Sequence, residues 1–371
     1  RVFSGTVKVG DDLRNVTRGQ TEKIGQVFTV TGKNRTSIDE VPAGDMGALV
    51  KLKDTHTSDT LSNPKEEVII EKINLTEPVA RIAIVPKTKG EEEKMANGLH
   101  ILAEEDPSFR FNFDPELAQL IVSGQGELHL NIIIAGLKDR FGVEVEKEEP
   151  RIPYRETIKS SAEGQGKYKK QSGGRGQYGD CWLKLESRKR GEGFEFVNAI
   201  VGGVIPSKFV PAVEKGVFSS MEMGVISGFP VVDVKVTCYD GSYHTVDSSE
   251  NAFRMAGSMA FRKVFQRCKP IILEPIEDLE ARVPEEFMGD VMGDISSRRG
   301  KIMGMEPDSG FQVIRAKMPL AELHMYSSTL RSLTGGRGLH KSSFSHYEQV
   351  PSEIQDKLVE DYEARRAEGL N

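Results

Sequence analysis

Ala80-Arg81-Ile82-Ala83-Ile84-Val85 alternates as a strand, and Glu91 to Leu102 then carries Met95, Leu99 and Leu102 at helical spacing as far as Asp106-Pro107. Side chains two apart share a strand face and those three or four apart share a helix face, so the two periods separate the two elements. Phe109-Arg110-Phe111-Asn112-Phe113 and Leu120-Ile121-Val122-Ser123 follow as a hairpin. Glu127 to Phe141 predicts a second helix with Leu130, Ile133, Ile134 and Leu137 on one side, and Val143-Glu144-Val145 a last strand. The order is βαββαβ, the split βαβ or ferredoxin-like arrangement, expected over residues 73–150.

Downstream the same order returns, over residues 274–350. Ile276 to Val283 reads as strand, and Pro284 opens a helix bearing Phe287, Val291 and Ile295. That helix is expected to stop at Arg298-Arg299-Gly300, a basic last turn before a C-cap glycine. Lys301 to Met305 and Phe311 to Met318 make a hairpin across Asp308-Ser309-Gly310, Ala321 to Leu333 the next helix, and Ser343 to Val350 the closing strand. Between the two copies, residues 151–273 have strands at Cys181 to Leu185 and Val232 to Cys238. Helical periodicity runs from Pro211 to Met223 and from Glu250 to Val264, with Asp247 and Glu250 as a capping box for the latter. Upstream, residues 1–72 show short alternating runs such as Val7-Lys8-Val9 and Ala48-Leu49-Val50-Lys51-Leu52, the texture of a partial β-barrel that begins inside a folded element. Ser352 to Ala367, within the terminal segment 351–371, reads as an amphipathic helix with Ile354, Leu358 and Tyr362 inward. The expected fold class is multidomain α+β: a partial β-barrel, two ferredoxin-like sandwiches and a distinct α+β middle domain, in an elongated arrangement.

Composition narrows the function. Fifty basic against fifty-six acidic residues give a net charge of -6, which excludes the general attraction to nucleic acid of a strongly basic domain and confines any RNA contact to local stretches. No segment approaches the roughly 18 uninterrupted apolar residues of a membrane span, so no membrane partner is expected and the chain reads as soluble and cytoplasmic. Cys181, Cys238 and Cys268 are far apart and odd in number, the pattern of reduced core thiols rather than of a zinc or redox pair. There is no G-x-x-x-x-G-K-[ST], H-E-x-x-H or G-x-S-x-G, so no catalytic, cofactor or metal site is expected within the chain.

Two stretches lack carboxylates. In the first, Gly164 to Gly179, glycines interleave with Lys167, Lys169, Lys170, Arg175, Tyr168 and Tyr178. Gly174, Gly176 and Gly179 match G-x-G-x-x-G, but a strand follows where a dinucleotide site needs a helix. An exposed hairpin tip with no partner and an RNA-contacting tip remain. Lysines gain counterion-release free energy at phosphates, and tyrosine and glycine allow stacking and close backbone approach. The candidate contact residues are Lys167, Lys169, Lys170, Gly173, Gly174, Arg175, Gly176, Gln177 and Tyr178, joined by Tyr243 and His244 if the Asp240-Gly241 pair makes a tight turn that lifts them to a neighbouring apex. The second stretch, Leu323 to Tyr347, holds Arg331, Arg337 and Lys341. With Arg298 and Arg299 it forms a candidate second RNA patch, which a solvated basic loop explains equally well.

Several longer motifs carry a family resemblance. Ile101-Leu102-Ala103-Glu104-Glu105-Asp106-Pro107-Ser108-Phe109, Ser123-Gly124-Gln125-Gly126-Glu127-Leu128-His129-Leu130, Gly173 to Gly179, Gly202-Gly203-Val204-Ile205-Pro206, Tyr239 to Glu250 and Met288 to Asp294 resemble the bacterial elongation factor G family in order and spacing, nearly end to end. The resemblance implies that the chain is the part following a GTPase domain, equivalent to the remnant of domain II and domains III, IV and V. GTP and magnesium would belong to the parent protein and not to this chain. It also implies ribosome partners: the decoding site of the small subunit and the tRNA–mRNA duplex for the middle domain, with His244 near that duplex, and large-subunit ribosomal RNA for residues 274–350. The expected function is tRNA–mRNA translocation by a monomer. A ribosome-recycling paralogue and a non-GTPase RNA- or protein-binding scaffold are the alternatives. Asp180 departs from the family pattern and is expected to place a negative charge beside the tip.

Overall fold

Short strands dominate the first 62 residues of the computed structural model, which describes residues 1–66, 68–171 and 176–369. They are β1 (Thr6–Lys8), β2 (Asp12–Asn15), β3 (Gln20–Lys23), β4 (Val27–Thr31), β5 (Asn34–Ile38), β6 (Glu40–Pro42), β7 (Ala48–Leu49) and β8 (Leu61–Ser62). They pair as three small sheets, β1-β6, β3-β2-β8 and β5-β4-β7, around Ile24, Val27 and Val41, and no closed barrel forms among the described residues. One buried carboxylate organises the return of the chain. Glu22 accepts from the amides of Lys53 and Asp54 and from the Thr55 hydroxyl, at 2.7–3.0 Å. These donors, the Lys53 amide foremost, hold its carboxyl below the usual range.

The chain divides into two compact units. One comprises residues 1–78, 84–112 and 122–147, the other 79–83, 113–121 and 148–371. The first ferredoxin-like order is β9 (Ala80–Pro86), α1 (Glu92–Glu105), β10 (Arg110–Asp114), β11 (Gln119–Gly124), α2 (Glu127–Phe141) and β12 (Val145–Glu148). Its sheet runs β10-β11-β9-β12. Met95, Leu99 and Leu102 of α1 and Leu130, Ile133 and Leu137 of α2 are buried as their spacing predicts. Ile134 is the exception: it is only half-buried.

The middle region consists of β13 (Arg155–Ile158), β14 (Ala162–Lys170), β15 (Gln177–Ser187), β16 (Glu195–Asn198), α3 (Val210–Glu222), β17 (Val234–Ser242) and α4 (Glu250–Phe265). Its sheet, β14-β15-β17-β16, is closed on one side by α4, whose Phe253, Ala256, Ala260, Phe261 and Val264 meet Cys181, Leu183, Val234 and Val236 in one core. All three cysteines are free and buried. Burial pushes the Cys238 thiol up to about 12 and the Cys268 thiol up to about 11, which leaves them inert as nucleophiles. The helix α4 is capped by Ser249, whose hydroxyl accepts from the Ala252 amide at 3.2 Å, and not by the expected Asp247, which lies in the preceding turn.

The last region carries β18 (Pro270–Pro284), α5 (Met288–Ser297), β19 (Lys301–Asp308), β20 (Phe311–Pro319), α6 (Tyr326–Leu333), β21 (Leu339–Gln349) and the terminal α7 (Ser352–Ala367). The strand order β21-β18-β20-β19 repeats that of the first copy, with each copy's first strand inside the sheet between its third and fourth. Two expectations are corrected here. The left-handed residue after α5 is Arg299, at φ 60°, and not Gly300. The helix expected from Ala321 is broken, because Met325 takes φ 56° and only Tyr326 onward is α-helical. At the border expected between residues 273 and 274, β18 runs on unbroken. Leu273 within it pairs with Arg155 of β13 and Gln349 of β21.

Candidate nucleic-acid interface

The first carboxylate-free stretch forms the β14–β15 hairpin, in the register Lys167 opposite Asp180, Lys169 opposite Tyr178 and Lys170 opposite Gln177. Alternation decides its two faces. Gly164, Gly166, Gly179 and Cys181 are buried on one face and Lys167 and Lys169 are exposed on the other, while Lys170, of the same parity as the glycines, is exposed at the strand's end. A Cβ on Gly166 would strike the backbone of Ala256 and Ala260, and one on Gly179 the backbone of Ala252. These glycines let α4 lie directly against the hairpin. The base of the hairpin is therefore a packed joint, and Tyr168 leans on the core rather than outward.

The far end is different. Gly173, Gly174 and Arg175 lie outside the described residues. Gly176, Gln177 and Tyr178 are half-buried, and Tyr178 fastens the hairpin to the loop after β17. Its amide donates to the Asp247 carbonyl at 2.9 Å, its carbonyl accepts from the Ser248 hydroxyl at 2.9 Å, and its phenol lies 2.7 Å from the Ser242 hydroxyl. The rings of Tyr178 and His244 are 6.3 Å apart. The two loops thus share one surface, with Tyr243 46% and Val246 58% exposed beside the lysines.

Asp240-Gly241 does not make the turn expected of it. Both residues belong to β17, where Gly241 pairs with Cys181, and the chain turns only after Ser242. A Cβ at Gly241 would meet the Asp180 carbonyl, so this glycine serves close packing and not a reversal. His244 nevertheless sits at the apex with its ring about half exposed. Its Nδ1 accepts from the Asp247 amide at 3.1 Å and the Val246 amide at 3.3 Å, which defines the Nε2–H tautomer and leaves Nε2–H as the donor.

Asp180 does not project its charge from the tip. It is 5% exposed and accepts from Gln165 Nε2 at 2.8 Å and the Ser242 hydroxyl at 2.7 Å. The sequence reading missed this Gln165–Asp180–Ser242 chain. Its signal was the two-residue spacing of Tyr178 and Asp180, which puts both on one strand face. Lys167 holds its amine 5.6 Å from the Tyr178 ring centroid, a cation–π contact. Among the described residues no carboxylate lies within ion-pair distance of Lys167, Lys169 or Lys170.

The second patch is not an unpaired basic face. Arg299 makes a two-pronged contact with Glu274 at 2.6 and 3.0 Å and reaches Glu322 at 2.9 Å. Arg298 binds Asp294, the Glu322 carbonyl and Thr329 at 3.1–3.2 Å. Both are half-buried structural ties. Arg337 pairs with Glu286 at 2.5 Å and lies over Phe287, and Lys341 pairs with Glu280 at 2.6 Å. These two pairs are at the surface, where such pairs exchange readily. Arg331 is exposed. No group of three or more His, Cys, Asp or Glu among the described residues is placed to hold a metal ion, and no helix among them is long and apolar enough to cross a membrane.

Family models match consecutive parts of the chain: elongation factor Tu domain 2 over residues 1–62, elongation factor G domain III over 75–149, elongation factor G domain IV over 150–269 and the elongation factor G C-terminus over 271–358. The chain belongs to the elongation factor G family. The hairpin and His244 loop fall within the elongation factor G domain IV match, and the two sheets of identical strand order fall within the domain III and C-terminal matches. A crystal structure of a Thermus thermophilus protein is similar at 40% identity with a TM-score of 0.82, over 97% of this chain and 54% of that one. The chain thus spans about half the length of that relative.

Proposed function

We propose that these residues are the ribosome-contacting portion of an elongation factor G that promotes tRNA–mRNA translocation. In this reading the joined tip of β14–β15 and the His244 loop enters the small-subunit decoding site beside the tRNA–mRNA duplex. The supporting observation is the fastening of two loops through Tyr178, with three lysines free of carboxylate partners among the described residues and the Nε2–H of His244 on the outer surface. Lysines there gain counterion release at phosphates, and a rigid backbone beneath them removes the ordering cost of binding. Arg331, Arg337 and Lys341 meet large-subunit ribosomal RNA in the same reading, while Arg298 and Arg299 hold the fold behind them. The factor acts in the cytoplasm as a monomer, with GTP and magnesium held by a domain outside these residues. The test is ribosome binding at several salt concentrations by wild type and by a Lys167→Ala, Lys169→Ala, Lys170→Ala triple variant. The variant is expected to bind more weakly with a salt slope flatter by about 2–3, near one per lost phosphate contact. An unchanged slope would remove the tip from RNA.

A further inference from the structure

A third stretch without carboxylates lies outside the two read from the sequence. From Asn251 to Leu273 the chain holds Arg254, Arg262, Lys263, Arg267 and Lys269 and neither Asp nor Glu. Its charge is hidden in the sequence among the apolar residues of α4, and the fold separates the two. Phe253, Ala256, Ala260, Phe261 and Val264 enter the core, while Arg254, Met255, Met259, Lys263 and Arg267 are exposed. Arg254 to Arg267 span about 20 Å of helix.

These cations have no carboxylate of their own. Elsewhere in the middle region Lys184, Arg188, Arg190 and Lys235 each pair with Asp or Glu. Among the described residues no carboxylate comes within ion-pair distance of the five basic residues on this stretch. The neighbouring elements turn their acids away. α3 presents Gly216 and Ser220 to α4, where the Ser220 and Ser258 hydroxyls lie 2.7 Å apart, so Glu214 and Glu222, each two residues off that row, fall on the far side of α3. On β14, Glu163 alternates away from Gly164, beside which the Arg267 guanidinium lies. The carboxylate of α4 itself, Glu250, stands at its first position, ahead of the stretch. Arg254 donates to Asn251 Oδ1 at 3.3 Å. Half-buried Arg262 has no oxygen acceptor among the described residues: a terminal nitrogen lies 4.0 Å from the Met223 sulfur, and its Nε is buried without a partner.

This face adjoins the tip. β14 is the edge strand of its sheet, and the Lys263 amine reaches that edge at the Gln165 carbonyl, 3.5 Å away and two residues from Lys167. Positive charge therefore runs from the hairpin lysines along β14 onto α4. No aromatic side chain is exposed between Asn251 and Lys269, so unpaired bases find nothing to stack on. Guanidinium and ammonium groups along a rigid rod suit phosphates held in place by base pairing.

We propose that the outer face of α4 is a second RNA-contact surface, separate from the tip, which lies along the phosphate backbone of a base-paired RNA without reading its sequence. The presence of such an RNA rests on the ribosome reading above. The experiment uses the full chain and a fluorescein-labelled RNA hairpin, titrated by anisotropy at several salt concentrations. An Arg254→Gln, Lys263→Gln, Arg267→Gln variant, its fold checked by circular dichroism, is expected to bind more weakly, with a salt slope flatter by about 2–3. Arg254→Lys with Arg267→Lys keeps the charge and is expected to bind within about threefold of wild type. Added to the Lys167→Ala, Lys169→Ala, Lys170→Ala variant, the glutamine substitutions are expected to cause the same further loss. The two surfaces thus succeed or fail separately: a loss at α4 with none at the tip removes the tip from RNA and leaves this face standing. Unchanged affinity and slope in the glutamine variant would overturn the proposal. So would a loss seen on an unpaired RNA strand but not on the hairpin, or an equal loss for labelled polyglutamate, which would make the face a site for acidic protein.

Discussion

The phenol of Tyr178 and the hydroxyl of Ser242 lie 2.7 Å apart, and that hydroxyl donates in turn to Asp180. Tyr178→Phe removes one bond of this chain and leaves the ring beside Lys167 and His244. A loss of about 1 kcal/mol in stability is expected, measured by urea denaturation, with the salt slope of ribosome binding unchanged. Ser242→Ala strips both bonds and leaves the buried Asp180 with Gln165 alone, so a larger loss is expected.

Gly166 and Gly179 face the backbone of α4, whereas a Cβ at Gly176 would meet only the side chain of Asp247. Gly179→Val should therefore destabilise by about 3 kcal/mol, because backbone cannot move aside as a side chain can. Gly176→Ala should cost well under half of that. Thermal denaturation of the two variants checks the contrast; equal costs would contradict the packed-joint description.

Glu156 of β13 is fully buried and accepts from the amides of Val225, Ile226, Ser227 and Phe229 and from the Ser227 hydroxyl. Glu156→Gln keeps the shape but turns an acceptor into a donor facing donors. A loss of about 3 kcal/mol follows from the unsatisfied amides, with faster hydrogen exchange confined to residues 225–229 as the specific signature.

Burial and then the neighbouring Arg331 push the His340 imidazole down to about 4. The unfolded chain takes up this proton near the ordinary value of about 6.5 while the folded chain does not, so stability falls as pH drops from about 6.5 toward 4. His340→Phe retains a ring against Tyr326, from whose centroid the imidazole now lies 5.1 Å. The variant's denaturation midpoint should depend less on pH across that interval.

The two ferredoxin-like orders were legible because most of their helices and strands keep clean periods; the helix at 352–367 buries no residue fully, and Ile354, Leu358 and Tyr362 are only half-buried. The tip was legible only in part. Lysines without nearby carboxylates announce an exposed basic surface, but glycine has no side chain to show its purpose. Gly166 and Gly179 read as part of an RNA-contacting stretch until α4 is seen against them, and Gly241 reads as a turn until its strand partner Cys181 is placed. Arg299 misled for a complementary reason: the carboxylates that neutralise it, Glu274 and Glu322, are distant in sequence and local charge counting cannot see them, whereas the partner of Arg298, Asp294, stands only four residues back.

The unbroken course of β18 across the expected border has a mechanical consequence. Its first residues are clasped by β13, whose Glu156 amide and carbonyl bond Pro230 and Val232 of the middle region, and its later residues form the inner strand of the final sheet. A sideways push on the hairpin would thus be met by stretched covalent chain and two flanking ladders instead of a swivel, so recoil would be transmitted rather than absorbed at that joint.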